Sequence, residues 1–233
     1  MSEIKIYHTD GIYFMQEMIK NKQTVSHIIT DPPYNISQKN NFPTMRNKRQ
    51  GVDFGEWDKQ FDLLGWIELA TQILNKNGSI ITFCSYKFIS FISQKYEEQG
   101  IEVKDILVWQ KSNPMPRNIQ RRYVQDMEFA LWGVKKGAKW TFNKPDEQPY
   151  LRSFFKTATV SGNEKTIHPT QKSLALMMEI VQIHTNKNDT IFDPFMGSGT
   201  TGLACSNLER NFIGTEIDKQ YFQIAQKRLE RLL

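Results

Sequence analysis

The 233-residue chain, 39% hydrophobic and 12% aromatic, is long and apolar enough for one globular unit with a substantial core. Its net charge of +5 is uneven: residues 104–172 hold 13 Lys/Arg against 6 Asp/Glu, a local +7, and the rest is slightly acidic. An opening of Met-Ser-Glu-Ile-Lys, no apolar run near the roughly 18 residues of a membrane span, two cysteines and four scattered histidines together argue against a signal peptide, a membrane span, disulfides and a metal site, so a cytoplasmic protein is expected.

In chain order, residues 3–9 alternate as a strand. Asp10 then caps an amphipathic helix that buries Ile12, Met15, Met18 and Ile19. Val25-Ser26-His27-Ile28-Ile29 reads as a buried strand, and Thr30-Asp31-Pro32-Pro33-Tyr34 stands at its end. Consecutive prolines fix φ and remove two N–H donors, so this corner is stiff and turns its carbonyls outward. Asp31, the Pro32 carbonyl and Tyr34 therefore make a rigid set of acceptors beside an aromatic face. That arrangement suits a planar group bearing an NH2; an ordinary Asp-Pro turn beside a core tyrosine is the plain alternative.

Residues 35–58 are polar, with Pro43, Gly51, Gly55, Lys39, Arg46, Lys48 and Arg49, and lack periodicity. A mobile lid or nucleic-acid-contacting loop is expected there. A helix over 61–74, a strand over 79–84, a helix over 86–98 and a strand over 102–110 follow. After the break at Pro114 and Pro116, residues 127–134 form one more strand, and 135–167 are read as an irregular, basic recognition region. The basic segment is interleaved with Trp109, Tyr123, Trp132, Trp140 and Phe142, a composition suited to a polyanion with stackable bases, although charge runs are often only solvated faces.

Leu174, Leu176, Met177, Ile180, Val181 and Ile183 mark an amphipathic helix. A strand over 190–192, a small-residue helix over 199–208, a strand over 211–215 and a helix over 219–232 complete the chain. Alternating strands and helices at both ends predict a parallel sheet covered on both faces. Asp193-Pro194-Phe195-Met196-Gly197-Ser198-Gly199-Thr200-Thr201-Gly202 lies between strand and helix and satisfies G-x-G-x-x-G. Glu216 ends the next strand 19 residues after Gly197, close to the spacing at which an acid binds ribose hydroxyls. This reads as a nucleoside site. It is not a phosphate-binding P-loop, because Gly202-Leu203 replaces the required glycine and lysine.

Together these motifs resemble the S-adenosylmethionine-dependent DNA amino-methyltransferases in the permuted order called the beta class. Asp31-Pro32-Pro33-Tyr34 is similar to the family's catalytic motif, Asp193 to Thr200 to its cofactor loop, and His168-Pro169-Thr170-Gln171-Lys172 to the element preceding that loop. The resemblance covers the chain except 35–58 and roughly 117–165. It implies an α/β, Rossmann-like methyltransferase fold: a seven-stranded, mostly parallel sheet with one antiparallel strand and helices on both faces, in a single catalytic domain with a target-recognition insert over about 117–165.

By the same resemblance, Asp31, Pro32, Pro33 and Tyr34 are catalytic. Phe195, Gly197, Ser198, Gly199 and Thr200 line the methionine part of the cofactor within the loop opened by Asp193, with Asp31 beside it. Glu216 holds the ribose, Asp10 lies near the adenine, and Lys172 pairs with the cofactor carboxylate. Asp10 is also readable as a plain helix cap and Lys172 as a surface lysine, and His168 is taken as a structural turn residue rather than a ligand. Arg46, Lys48, Arg49, Arg117, Arg121 and Arg122 are the expected contacts to double-stranded DNA. A homodimer and a partner restriction nuclease are left open.

The expected reaction is methyl transfer to the exocyclic nitrogen of a flipped base, with Tyr34 as stacking partner. In the resembled family an acid at the Asp31 position goes mostly with adenine N6 and serine with cytosine N4, so adenine is expected and cytosine N4 is the alternative. Two readings from other classes stay open at this point. A nicotinamide-dependent oxidoreductase would use the same glycines and Glu216 but leaves the Asp31 corner and the basic insert unexplained, and a non-enzymatic DNA-binding module would make the nucleoside site vestigial.

Overall fold

The computed structural model describes residues 2–33, 61–116 and 118–230. Eight strands among these residues form one sheet: β1 (Ile4–His8), β2 (Val25–Thr30), β3 (Leu74–Cys84), β4 (Ile101–Lys111), β5 (Met127–Lys135), β6 (Phe154–Thr157), β7 (Thr190–Asp193) and β8 (Asn211–Glu216). Their order is β1-β8-β7-β2-β3-β5-β4-β6. All pair in parallel except β5, which runs antiparallel between β3 and β4. The expectation of one antiparallel strand holds, but the strands number eight rather than seven. The additional strand is β6, inside the region read as irregular. Four residues in polar surroundings carry too little alternation to announce a strand, and β6 exists because β4 offers it an edge from Val108 to Lys111.

The strands are covered by α1 (Gly11–Lys20), α2 (Gly65–Ile73) and α3 (Ile89–Glu98) on one face and α4 (Leu174–His184), α5 (Thr200–Asn207) and α6 (Lys219–Glu230) on the other. Side chains in a strand alternate between faces, and the buried residues divide accordingly. Ile28, Ile80, Leu131 and Phe192 pack with Met15, Trp66, Ile67 and Tyr96, whereas Ile29, Ile81, Trp132 and Ile191 pack with Met177, Ile180, Ala204 and Ala225. Burial of both faces explains why β2 shows no alternation of polarity, its buried His27 being hydrogen-bonded to Ser79 and Asp189 and its buried Thr30 to Asp193. The expected helix over 61–74 is shorter, Gly65–Ile73, because Asp62 accepts from the Gly65 N–H at 2.9 Å and Leu74 already pairs with Val25 at the start of β3.

Because seven strands share one direction, the carboxyl ends of β1, β8, β7, β2, β3 and β4 lie along one edge of the sheet, and the start of antiparallel β5 joins them there. From β2 the chain proceeds to β3 on one side, while β7 returns on the other. This is the switch point of an open α/β sheet, where a crevice opens beyond the strand ends.

Candidate active site

Four strand ends build the crevice: β1 delivers Asp10, β2 delivers Asp31 to Pro33, β7 delivers the loop Asp193 to Ser198, and β8 delivers Glu216 and Ile217. Together with Phe61, His168, Thr170, Gln171, Lys172 and Tyr221 they line a cavity of about 200 Å³. The two motifs that stand 162 residues apart in sequence, at Asp31 and Asp193, thus share one cavity.

The β7 loop is held from within. Asp193 is buried; its Oδ1 accepts from Thr30 Oγ1 at 2.7 Å and from the Phe195 N–H at 3.1 Å, and its Oδ2 accepts from Thr201 Oγ1 at 2.8 Å. Burial lifts the carboxyl to about 6 against the pull of these donors. Both oxygens of Asp193 are therefore engaged in joining β2, the loop and α5. Gly197 and Gly199 have φ of +53° and +78°, a region a side chain would strain, and at Gly197 a Cβ would also stand 2.7 Å from His168 Nε2. From α6, Arg228 clamps the loop by donating to the Ser198 carbonyl at 2.6 Å, Ser198 Oγ at 3.0 Å and Thr200 Oγ1 at 3.2 Å.

Glu216 closes one end of the cavity. Its Oε2 accepts from the Gly197 N–H at 2.9 Å and its Oε1 from the Asp218 N–H at 2.8 Å. Burial raises its carboxyl to about 7, only partly offset by those two donors. Asp10 is the helix cap, its Oδ1 accepting from the Tyr13 N–H at 2.8 Å, and the residue also lines the cavity. Phe195 presents an apolar wall, fixed edge-on by Phe61 at 5.2 Å and Trp66 at 5.7 Å.

At the other end Lys172, buried, forms an ion pair with Asp31 Oδ2 and lies 3.2 Å from Glu128 Oε2, and Glu128 Oε1 in turn is 2.5 Å from Lys111 Nζ. Burial opposes the charge on Lys172, yet the carboxylates of Asp31 and Glu128 keep its ammonium above the usual range. Burial likewise opposes the charge on Glu128, yet Lys172 and Lys111 hold its carboxyl below the usual range. A surface lysine is excluded by this environment. His168 is kept neutral, with its pKa lowered to about 4 by burial and by Lys172 and Arg228; it packs against Tyr221 at 4.4 Å and lines the cavity.

Of the residues expected from sequence, Asp10, Asp31, Pro32, Pro33, Lys172, Asp193, Phe195, Gly197, Ser198, Thr200 and Glu216 all line the cavity, and Gly199 caps α5 beneath it. Tyr34, Arg46, Lys48, Arg49 and Arg117 lie outside the described residues. Arg121 and Arg122 are exposed in the connection from β4 to β5, which leaves the sheet at the same edge as the cavity. Glu128, Lys111, Arg228 and Phe61 carry no sequence signal that marks them as site residues.

Two of the interleaved aromatics require correction. Trp109 and Trp132 are buried and committed to packing, whereas Trp140, under the Lys104 ammonium at 4.0 Å, and Phe142, stacked on Trp132 at 5.6 Å, remain exposed. Tyr123, 95% exposed, is the ring of that set most open to solvent. Lys135 ends β5 and Lys136 and Lys139 follow it, at the amino edge away from the cavity. The basic run is thus divided between opposite edges because an antiparallel strand passes through it.

Comparison with known proteins places this fold. Residues 25–227 match the model of the DNA methylase family N6_N4_Mtase. The type II methyltransferase M2.DpnII of Streptococcus pneumoniae is 31% identical, over 97% of this chain and 89% of that protein; M2.MboI of Moraxella bovis is 32% identical, over 97% and 88%. The crystal structure of an M1.HpyAVI–SAM complex superposes with a TM-score of 0.82 at 54% identity, covering 97% of this chain and 98% of the other. The chain belongs to the DNA methylase family. That membership removes the oxidoreductase reading and disfavours a DNA-binding module without activity. No helix among the described residues is long and apolar enough to cross a membrane.

Proposed function

We propose that this chain transfers a methyl group from S-adenosylmethionine to adenine N6 in duplex DNA. The observation that carries the reading is the shared cavity: an acceptor corner at Asp31-Pro32 opens onto the same space as the glycine loop and Glu216. The groups present fit the cofactor by their chemistry. Glu216 and Asp10 offer carboxylates to the ribose hydroxyls and the adenine's exocyclic amino group, Phe195 and Phe61 offer apolar faces, and Lys172 offers an ammonium to a carboxylate. Bound there, the cofactor supplies an electrophilic methyl on a sulfonium.

The chain's own part is to make a poor nucleophile attack in line. An exocyclic amino group lends its lone pair to the ring. Hydrogen bonds from its two N–H groups to Asp31 and the Pro32 carbonyl draw it toward a tetrahedral shape, with the lone pair facing the methyl. As the C–N bond forms and the S–C bond breaks, positive charge develops on that nitrogen, and the acceptors stabilise it before the proton leaves. Because the amino group is stacked within a duplex, the nucleotide is flipped, and Tyr34 is assigned the stacking role from sequence.

Asp31 in place of serine supports adenine over cytosine. The connection from β4 to β5 and the β6 region, within residues 117–165, are assigned to target recognition, in a chain that acts as one catalytic domain. The type II description of the relatives supports a restriction nuclease as functional partner. The test is incubation with labelled S-adenosylmethionine and mixed-sequence duplex DNA, then digestion to nucleosides and mass spectrometry. N6-methyladenine is expected. N4-methylcytosine would overturn the choice of base, and no DNA-borne label would overturn the function.

A further inference from the structure

Four charges alternate from the acceptor corner outward: Asp31, Lys172, Glu128 and Lys111. The third member is set by the sheet. Glu128 sits one residue into β5, its register fixed opposite Trp109 of β4, at the edge where the cavity opens. Its two oxygens are divided between cations, Oε2 toward Lys172 and Oε1 toward Lys111.

We propose that Glu128 is a positioning residue for methyl transfer, holding Lys172 so that Asp31 keeps acceptor capacity for the amino group of the target base. A buried ammonium with one carboxylate for company takes up that carboxylate's lone pairs and cancels its charge, and an Asp31 so occupied has little left to offer a nitrogen that is becoming positive. A second carboxylate on the far side of the ammonium divides its three protons and gives it an alternative partner. When the amino group engages Asp31, Lys172 remains compensated by Glu128. Lys111 completes the chain of charges by keeping Glu128 ionised where its surroundings would otherwise favour the neutral form. The arrangement is neutral as a whole, so its cost of burial is contained, while the charge facing the base stays negative.

The inference rests on the methyl transfer proposed above, and the experiment separates the two. Single-turnover methylation of duplex DNA is measured for the wild type, Glu128→Gln, Glu128→Asp, Lys172→Met and the double variant Glu128→Gln/Lys172→Met, with dissociation constants for S-adenosylmethionine and DNA alongside. Glu128→Gln keeps volume and a hydrogen bond but not charge. Its rate should fall by about tenfold or more with both dissociation constants within about threefold, since the lost element acts on the transition state. Glu128→Asp should recover much of the rate. In the Lys172→Met background Glu128→Gln should add less than about twofold, because a residue acting through another is silent without it.

An unchanged rate in Glu128→Gln, a loss that appears only as weaker cofactor or DNA binding, or an equal loss in both backgrounds would each overturn the proposal. Should Glu128→Gln fail to fold by circular dichroism, the same cycle is run with Glu128→Met, which also removes the charge at similar length, and an unchanged rate there overturns it equally. A wild type without methyl transfer would overturn the function, not this assignment alone.

Discussion

Thr30 Oγ1 donates to Asp193 Oδ1 at 2.7 Å across 163 residues of sequence, at the point where β2 and β7 lie side by side. One hydrogen bond thus fastens the acceptor corner to the glycine loop. With Thr201 and the Phe195 N–H on the same carboxyl, any change at Asp193 alters the spacing between the two halves of the cavity.

Asp193→Ala should therefore destabilise the fold by about 3 kcal/mol, because two hydroxyls and one N–H lose their buried acceptor. Asp193→Asn should cost much less, since its carbonyl replaces Oδ1 and its amide can donate to Thr201. The sign with pH follows from the carboxyl's shift to about 6, above the ordinary 3.8. Its contribution to stability is complete below the ordinary carboxyl range and is lost as pH rises through about 6. Urea melts across that window should show a flatter dependence for Asp193→Asn than for the wild type, and parallel curves would refute the role of this group.

Asp31→Ala should retain cofactor affinity within a few-fold and lose on the order of 10²-fold in turnover, the usual effect of deleting one preorganised electrostatic partner. Lys172 keeps Glu128 in that variant, so the ammonium is not left uncompensated. Steady-state methylation with calorimetric cofactor binding checks both halves, and near-normal turnover would sink the catalytic assignment.

The parts of this site legible in sequence are those written as local grammar at strand ends. Asp31-Pro32-Pro33 and the loop from Asp193 to Gly199 announce themselves because stiff corners and positive-φ glycines need particular residues in sequence order. Glu216 is legible by its spacing from the loop. Glu128, Lys111 and Arg228 carry no such grammar, since a charge within a strand or helix looks alike whether it meets solvent or a partner far along the chain. Two aromatics mislead for the converse reason: composition counts Trp109 and Trp132 but does not say on which face of β4 or β5 they fall, or what covers them.

Cofactor binding should be coupled to proton release. Burial holds the Glu216 carboxyl at about 7, and ribose hydroxyls donating to it would favour the ionised form. A group whose pKa drops on binding makes affinity weaken as pH falls through its free value. The dissociation constant should rise toward about tenfold per unit of pH below about 7 and level off above it. Calorimetry in buffers of different ionisation enthalpy reads the released proton directly. Glu216→Gln should bind more weakly and without this pH dependence; a wild type that releases no proton would remove Glu216 from the ribose.

The last prediction uses the division of the basic run between two edges of the sheet. Arg121 and Arg122 are exposed in the connection that leaves β4 at the edge bearing the cavity, whereas Lys136 and Lys139 are exposed at the opposite edge, beyond the end of β5. A flipped base can enter the cavity only if the duplex lies along the first edge, so phosphates should meet the arginines and miss the two lysines. Each phosphate neutralised contributes about 0.9 to the slope of log affinity against log salt, so Arg121→Glu with Arg122→Glu should flatten that slope by about 2 or more. Lys136→Glu with Lys139→Glu should leave it nearly unchanged, although the net charge falls by the same amount in both variants. Fluorescence anisotropy of a labelled duplex over a salt series makes the comparison. Equal flattening in the two variants would mean that affinity follows overall charge and not the edge, and would move the DNA away from the surface assigned to it.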